Sequence, residues 1–123
     1  MSNVISNRLI IGNYLIESVK NDKYRFSFDE LNRFDDMLSE YLQKIDYYSS
    51  FDDDGILEFL EEYPSFISYD SVSNLYILID DKKDVILPRL YRYFRSGITK
   101  PITTAISEVS SIYWGENAER KKY

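Results

Sequence analysis

The 123-residue sequence contains neither cysteine nor histidine. Without thiols there is no disulfide framework, no thiolate nucleophile and no zinc–thiolate site. Without imidazoles there is no Ser-His-Asp or Cys-His triad, no histidine metal ligand, and no side chain tuned by default to neutral pH. Carboxylate, lysine and tyrosine chemistry remains, and most enzyme classes do not. Long apolar runs are missing too: none approaches the ~18 residues that cross a bilayer, and the longest, Arg8 to Leu15, is broken by Gly12 and Asn13. The opening Met1-Ser2-Asn3 lacks the flanks of a secretory signal. No internal repeat, linker or low-complexity block is present. These absences lead us to expect a soluble, cytoplasmic protein with no membrane partner.

What is present is aromatic and acidic. Hydrophobic residues make up 44% and aromatics 16%, with 12 tyrosines, enough to expect a folded core. The length suits one domain, placed at residues 1–115, with 116–123, "ENAERKKY", as a basic solvated tail. The net charge of -6 is unevenly spread. Residues 1–81 hold 17 acidic against 6 basic side chains, whereas 82–123 hold 4 against 9. A dipolar molecule follows, and any contact with nucleic acid falls to its last third.

Periodicity orders the chain. Apolar residues in 4–20 (Val4, Ile5, Leu9, Ile10, Ile11, Tyr14, Leu15, Ile16, Val19) exceed one helical face, which predicts a central helix or one shared with a second copy, a homodimer through 4–19. Gly12 weakens that helix by about 1 kcal/mol against alanine. Tyr24 to Phe26 is a short extended segment, and Ser27 with Glu30 forms a capping-box pattern with Phe26 able to staple onto Leu31. The next helix buries Phe28, Leu31, Phe34, Leu38, Tyr41, Leu42 and Ile45, with Asp29, Asp35, Asp36, Glu40 and Lys44 outside, and ends near Asp46. A third helix, 53–62, buries Ile56, Leu57 and Leu60 until Pro64 stops it. "SFISYD" and "NLYILID" change to period two and read as a hairpin, with "DVIL" as a further strand. Pro88 then opens a helix "RLYRYFRS" closed by Gly97, and a last helix from Pro101 uses Ile102, Ile106, Val109 and Tyr113 before Gly115. The expected fold class is α+β: a helix-rich single domain with a small two- or three-stranded antiparallel sheet.

This order of helix, short strand, helix, helix and hairpin is similar to winged-helix domains over about residues 4–80. The resemblance implies a third helix that reads DNA and a hairpin wing. Here that third helix reads "DDDGILEFLEEY", with six carboxylates and no basic residue, so it repels phosphates. The loop "SFDDDGILEFLE" resembles a calcium-binding EF-hand: Asp52, Asp54, Gly55 and Glu61 match ligand or turn positions, with Ser50 where the first acid belongs. The alternative is that Asp52 to Asp54 cap the third helix. "YD" and "IDDK" resemble the PD-(D/E)xK nuclease pattern, which implies Asp70, Asp80 and Lys82 around magnesium, with Glu17 as a helical acid. The bland alternative is a pair of exposed turns. No cofactor is expected otherwise.

Two charged surfaces stand out. One is acidic: Asp29, Asp35, Asp36 and Glu40, then Asp52, Asp53, Asp54, Glu58, Glu61 and Glu62. It is either a solvated face that aids solubility or a phosphate-like surface that docks on the basic channel of another protein. In size and composition the chain resembles small acidic inhibitors encoded by viruses and plasmids, anti-CRISPR proteins among them. The other surface is basic. Arg89, Arg92 and Arg95 recur every three residues, on one helical flank about 120° wide, and Lys82, Lys83 and Lys100 extend it. Either it meets phosphates, with tyrosines stacking on bases, or its arginine stems cover the core and pair with the acidic body; the second is favoured. The leading expectation is a non-enzymatic protein that binds and inhibits a nucleic-acid-handling host protein or nucleoprotein complex. The alternatives are a winged-helix-like nucleic-acid-binding regulator and a small metal-dependent nuclease.

Overall fold

The computed structural model describes residues 4–49, 51, 52 and 54–121, with side chains described as far as Gly115. A short strand β1 (Val4–Ile5) leads into helix α1 (Asn7–Lys20); β2 (Arg25–Phe26), α2 (Phe28–Gln43), β3 (Tyr48–Ser49) and α3 (Gly55–Glu62) follow. The hairpin β4 (Ile67–Asp70) and β5 (Leu75–Leu78) precedes α4 (Lys83–Leu90), a π-helical turn (Tyr91–Arg95) and α5 (Lys100–Lys121). The class is α+β and helix-rich, as the sequence implies. It contains a three-stranded antiparallel sheet, β2-β5-β4, and a two-stranded parallel one, β1-β3.

Helix α1 is the axis. Every residue from Ile10 to Val19 is buried, because α2, α3, α4 and the π turn all pack on it. The excess apolar coverage of 4–19 is therefore used up inside one chain, and it supplies no reason for a homodimer through this helix. Gly12 has a packing role: a Cβ there would overlap the Phe94 ring and come within 2.7 Å of the Phe94 Cβ. What helix propensity loses at Gly12, close approach of the π turn recovers.

Helix α2 starts where its sequence says. The Ser27 side chain accepts from the Glu30 amide while the Glu30 carboxylate accepts from the Ser27 amide, a full capping box. Phe26 and Leu31 are both fully buried in the single core cluster. In α3, Ile56 and Phe59 face the core, and Leu57, expected inside, is 55% exposed. The Ile56/Phe59 spacing of three defines the buried face, and Leu57 lies about 100° round from Ile56.

Two expectations in the second half are corrected. "DVIL" is helix rather than strand: Ile86, Leu90 and Phe94 are buried at steps of four, a helical period, and the outer edge of β5 is already occupied by β2 through Arg25↔Ile77 and Phe26↔Tyr76. Pro88 consequently lies inside α4 rather than at the first turn of the following helix, where it removes one main-chain hydrogen bond. Gly97, with φ +82°, does close the segment. Gly115 does not terminate α5, which runs on to Lys121; Gly97 is the one described glycine with the positive φ that favours a glycine stop. Residues 116–121, expected as a solvated tail, continue this helix. Trp114 also joins the core, at 7% exposure. Among the described residues no helix is long and apolar enough to cross a membrane.

Candidate functional site

The three arginines do not share a flank. From Tyr91 the helix widens, and the Ser96 amide donates to the Tyr91 carbonyl at 3.0 Å, five residues back. A π turn holds more residues than an α turn, so spacing of three no longer keeps side chains in line. Arg89 lies over the Phe66 ring, 4.8 Å from its centroid. Arg92 is exposed and makes no ion pair among the described residues. Arg95 turns inward: its Nε donates to Asn13 Oδ1 at 2.6 Å and its Nη2 to Glu17 Oε2 at 3.0 Å.

That inward turn is held from α1. Asn13 Nδ2 donates to the carbonyls of Leu9 at 2.8 Å and Phe94 at 3.0 Å, so one buried amide side chain fixes both the π turn and Arg95. Lys20 Nζ approaches the same Glu17 Oε2 at 3.5 Å. Glu17, a candidate metal ligand in the nuclease reading, is thus a buried counter-ion between two cations. Lys83 is committed too, donating to Asp22 Oδ1 at 3.1 Å and the Lys20 carbonyl at 3.2 Å. Lys82 and Lys100 are exposed. The basic patch is therefore dispersed: Arg95 is held in a buried ion pair, Lys83 is paired at the surface, and Arg92 is the outward-facing charge of the π turn.

Around that turn the structure assembles a cluster invisible to periodicity. Tyr63, Phe66, Tyr93 and Phe94 meet with centroids 5.1–6.2 Å apart. Arg8, from the start of α1, lies 5.9 Å from the rings of both Tyr63 and Phe94, and its Nη2 donates to the Tyr93 carbonyl at 3.3 Å. Burial pushes the Tyr63 hydroxyl's pKa up, with the Arg8 charge opposing. These residues come from α1, the connection between α3 and β4, and the π turn, so no single spacing in the sequence links them.

The nuclease residues are not brought together. Asp70 opposes Leu75 at one end of the hairpin and Ile67 opposes Leu78 at the other, so Asp80 lies beyond the far end, at least about 10 Å along the sheet. Each carboxylate serves its own turn. Asp70 accepts from Ser73 Oγ at 2.7 Å and the Val72 amide at 3.1 Å; the Ser73 bond is the main cause of its lowered pKa. Asp80 Oδ1 accepts from the Lys82 amide at 2.8 Å, which ties Lys82 to turn geometry. The EF-hand pattern fares similarly. It needs a helix on both sides, yet β3 precedes it, and Glu61 sits in the last turn of α3. Asp52 Oδ1 accepts from the Asp54 amide at 3.1 Å, and Gly55 is packed against Asn7. The Asp54 side chain makes no cap hydrogen bond, so among the described residues the capping alternative holds as an Asx turn at Asp52. Ser50 and Asp53 lie outside the described residues. Among the described residues no group of three or more His, Cys, Asp or Glu could hold a metal ion.

The acidic surface keeps most of its members and loses one. Asp35 is buried at 7% exposure, accepting from Ser49 Oγ at 2.9 Å and Ser39 Oγ at 3.3 Å. Burial raises its pKa, the two serine hydrogen bonds oppose, and neighbouring Asp36 adds to the rise. The helical wheel carried this signal: Asp35 lies between Leu31, four before, and Leu38, three after. Asp29, Asp36 and Glu40 are exposed on α2, and Asp52, Asp54, Glu58 and Glu61 on and before α3. None of these seven makes an ion pair among the described residues. Glu62 is exposed as well and interacts with the Tyr63 hydroxyl. On and immediately before α3, Asp54, Leu57, Glu58 and Glu61 fall at i, i+3, i+4 and i+7, one outward stripe with a leucine inside it.

Comparison of the chain with protein-family models, curated proteins and solved structures finds no match.

Proposed function

We propose that the protein is a non-enzymatic interaction protein that binds a basic, nucleic-acid-handling host protein or complex through the acidic face of α3, and inhibits it by occupying the place of phosphates. One observation carries this reading: the outward stripe Asp54, Leu57, Glu58 and Glu61, in which carboxylates with no ion pair among the described residues surround an exposed leucine. Unpaired surface carboxylates supply steering and complementarity to a basic groove. The leucine supplies the apolar anchor that a purely solvated acidic face would lack. The resemblance in size and composition to small acidic inhibitors points the same way. The test is capture from host lysate after nuclease digestion. A partner retained by the wild-type chain should be lost with Glu58→Lys/Glu61→Lys and displaced by added duplex DNA or RNA. A partner that charge reversal leaves bound would overturn the reading.

A second reading is a nucleic-acid-binding regulator that uses the π turn. It is favoured by Arg92, exposed and without an ion pair among the described residues, next to Tyr93, which is 49% exposed. It predicts direct binding to DNA or RNA that weakens steeply with salt and is lost on Arg92→Glu. The third helix, α3, presents carboxylates, so this reading has to use a different face.

A further inference from the structure

Helices α2 and α5 run in opposite directions: Tyr41 and Ile45 meet Pro101 and Thr104 at one end, and Tyr113 Oη donates to the Glu30 carbonyl at the other. Two clefts open along the outer seam between them. One, of about 300 Å³, lies among Tyr41, Ile45, Pro101 and Thr104. The other, of about 220 Å³, lies between Met37 and Tyr41 on one side and Val109 and Ile112 on the other. Ile112 is 53% exposed and Ile45 37%. The seam therefore carries an exposed apolar side chain at one end and an apolar hollow at the other. Eleven residues of α5, or about 16 Å of helix, separate Ile112 from Pro101.

The charges along the seam narrow the occupant. Glu40 and Lys44 border it on α2, and Lys100 on α5. Glu108 falls between Thr104 and Ile112 at steps of four, on the same stripe of α5. All four are exposed, and none makes an ion pair among the described residues. Two acids and two bases balance, unlike the single-sign face of α3. A phosphate backbone or an anionic lipid surface would meet Glu40 and Glu108, and a strongly basic protein would meet Lys44 and Lys100. The seam fits a surface that carries both signs, with a projection and a hollow at the same separation in reverse order. A second copy related by a twofold axis supplies all of these at once.

We propose that the protein forms a symmetric homodimer through the α2–α5 seam, with Ile112 of each copy seated in the Ile45–Pro101 hollow of the other. An antiparallel crossing of the two α5 helices, centred midway between Thr104 and Glu108, sets position 112 against position 100 and position 108 against position 104. Both hollows are then filled together. Each Lys100 lies one helical turn, about 6 Å, from the opposing Glu108, within reach of its long side chain. The α3 docking face belongs to other elements, so the two proposals stand or fall separately.

Sedimentation equilibrium of the full chain from about 1 µM to about 0.5 mM should show the 14.6 kDa chain doubling in mass. Ile112→Asp should remain monomeric over the same range. Lys100→Glu and Glu108→Lys should each dimerise at least about tenfold more weakly, because each sets like charges across the axis twice. An equimolar mixture of those two variants should dimerise about as well as the wild type, since both cross-chain pairs are then of opposite sign. All three substitutions are at exposed positions, and each variant should melt within a few degrees of the wild type at concentrations where both are monomeric. The proposal is overturned if the wild type stays monomeric throughout, or if Ile112→Asp dimerises as the wild type does. A mixture no tighter than the separate variants would overturn it as well.

Discussion

The stripe on α3 and the arginines of the 89–95 segment have nearly the same spacing and opposite outcomes. Asp54, Leu57, Glu58 and Glu61 sit on and immediately before a regular helix and stay on one outward face. Arg89, Arg92 and Arg95 straddle the onset of a π turn, and they end over a ring, in solvent and in a buried ion pair. Spacing reports a face only while the helix keeps its pitch. Where Phe94 must seat on Gly12, the backbone widens and the face is redistributed. Charge on α3 therefore stays in solvent, whereas Arg89 and Arg95 are used within the fold.

The largest effect should come from breaking that seat. Phe94→Ala should cost about 3–5 kcal/mol, as truncation of a fully buried aromatic does. Gly12→Ala should cost about 1–3 kcal/mol by overpacking against the same ring. Urea unfolding of both, with the double variant, should show the two costs to be non-additive, because alanine at 94 frees the space that a Cβ at 12 needs. Additive costs would mean that the two residues do not meet.

Arg95 and Arg92 sharpen the contrast within the π turn. Arg95→Ala leaves Glu17 buried with Lys20 alone and should cost about 3 kcal/mol. Arg92→Ala should stay within about 0.5 kcal/mol of wild type. Equal melting temperatures for the two variants would place both arginines in solvent and restore the single basic flank.

Asp35 contrasts with its neighbour Asp36 in the same way, buried against exposed. Because burial raises its pKa, the folded protein binds a proton there more tightly than the unfolded chain does. The stability contributed by the protonated form is fully present below the unfolded pKa of about 3.9, and falls as pH rises through the higher folded value. Asp35→Asn should therefore raise the melting temperature at pH 7 and change it little near pH 3. Asp36→Asn should do little at either pH. A lower melting temperature for Asp35→Asn at pH 7 would show that the Ser39 and Ser49 hydrogen bonds to the charged form outweigh its burial.

The first half of the fold was legible because its signals are local. The Ser27–Glu30 box starts α2, the all-round apolar coverage of α1 marks a central helix, and alternation in "ISYD" and "LYIL" marks the hairpin. What stayed hidden depends on distant neighbours. "DVIL" has strand-like residues, yet β5 had already taken β2 as its second partner, a pairing of residues 25–26 with 76–77 that no local pattern announces. The widening at Tyr91 answers to Gly12, about eighty residues earlier. The Arg8–Tyr63–Tyr93 cluster is likewise a product of packing. Asp35 is the exception, since its place among Leu31, Leu38 and Leu42 was readable and its charge argued otherwise.

The smallest expected effect on stability belongs to the proposed docking face. Leu57→Ser and Glu58→Lys/Glu61→Lys should each melt within a few degrees of wild type, because these side chains lie outside the core. Their effect should be on binding. The most direct measurement compares the dissociation constant of the captured partner for wild type, Glu58→Lys/Glu61→Lys and Arg92→Glu at one ionic strength. The docking account predicts loss of binding by tenfold or more for the α3 reversal and a value near wild type for Arg92→Glu. The reverse order, with Arg92→Glu losing the partner and the α3 variant keeping it, would contradict it.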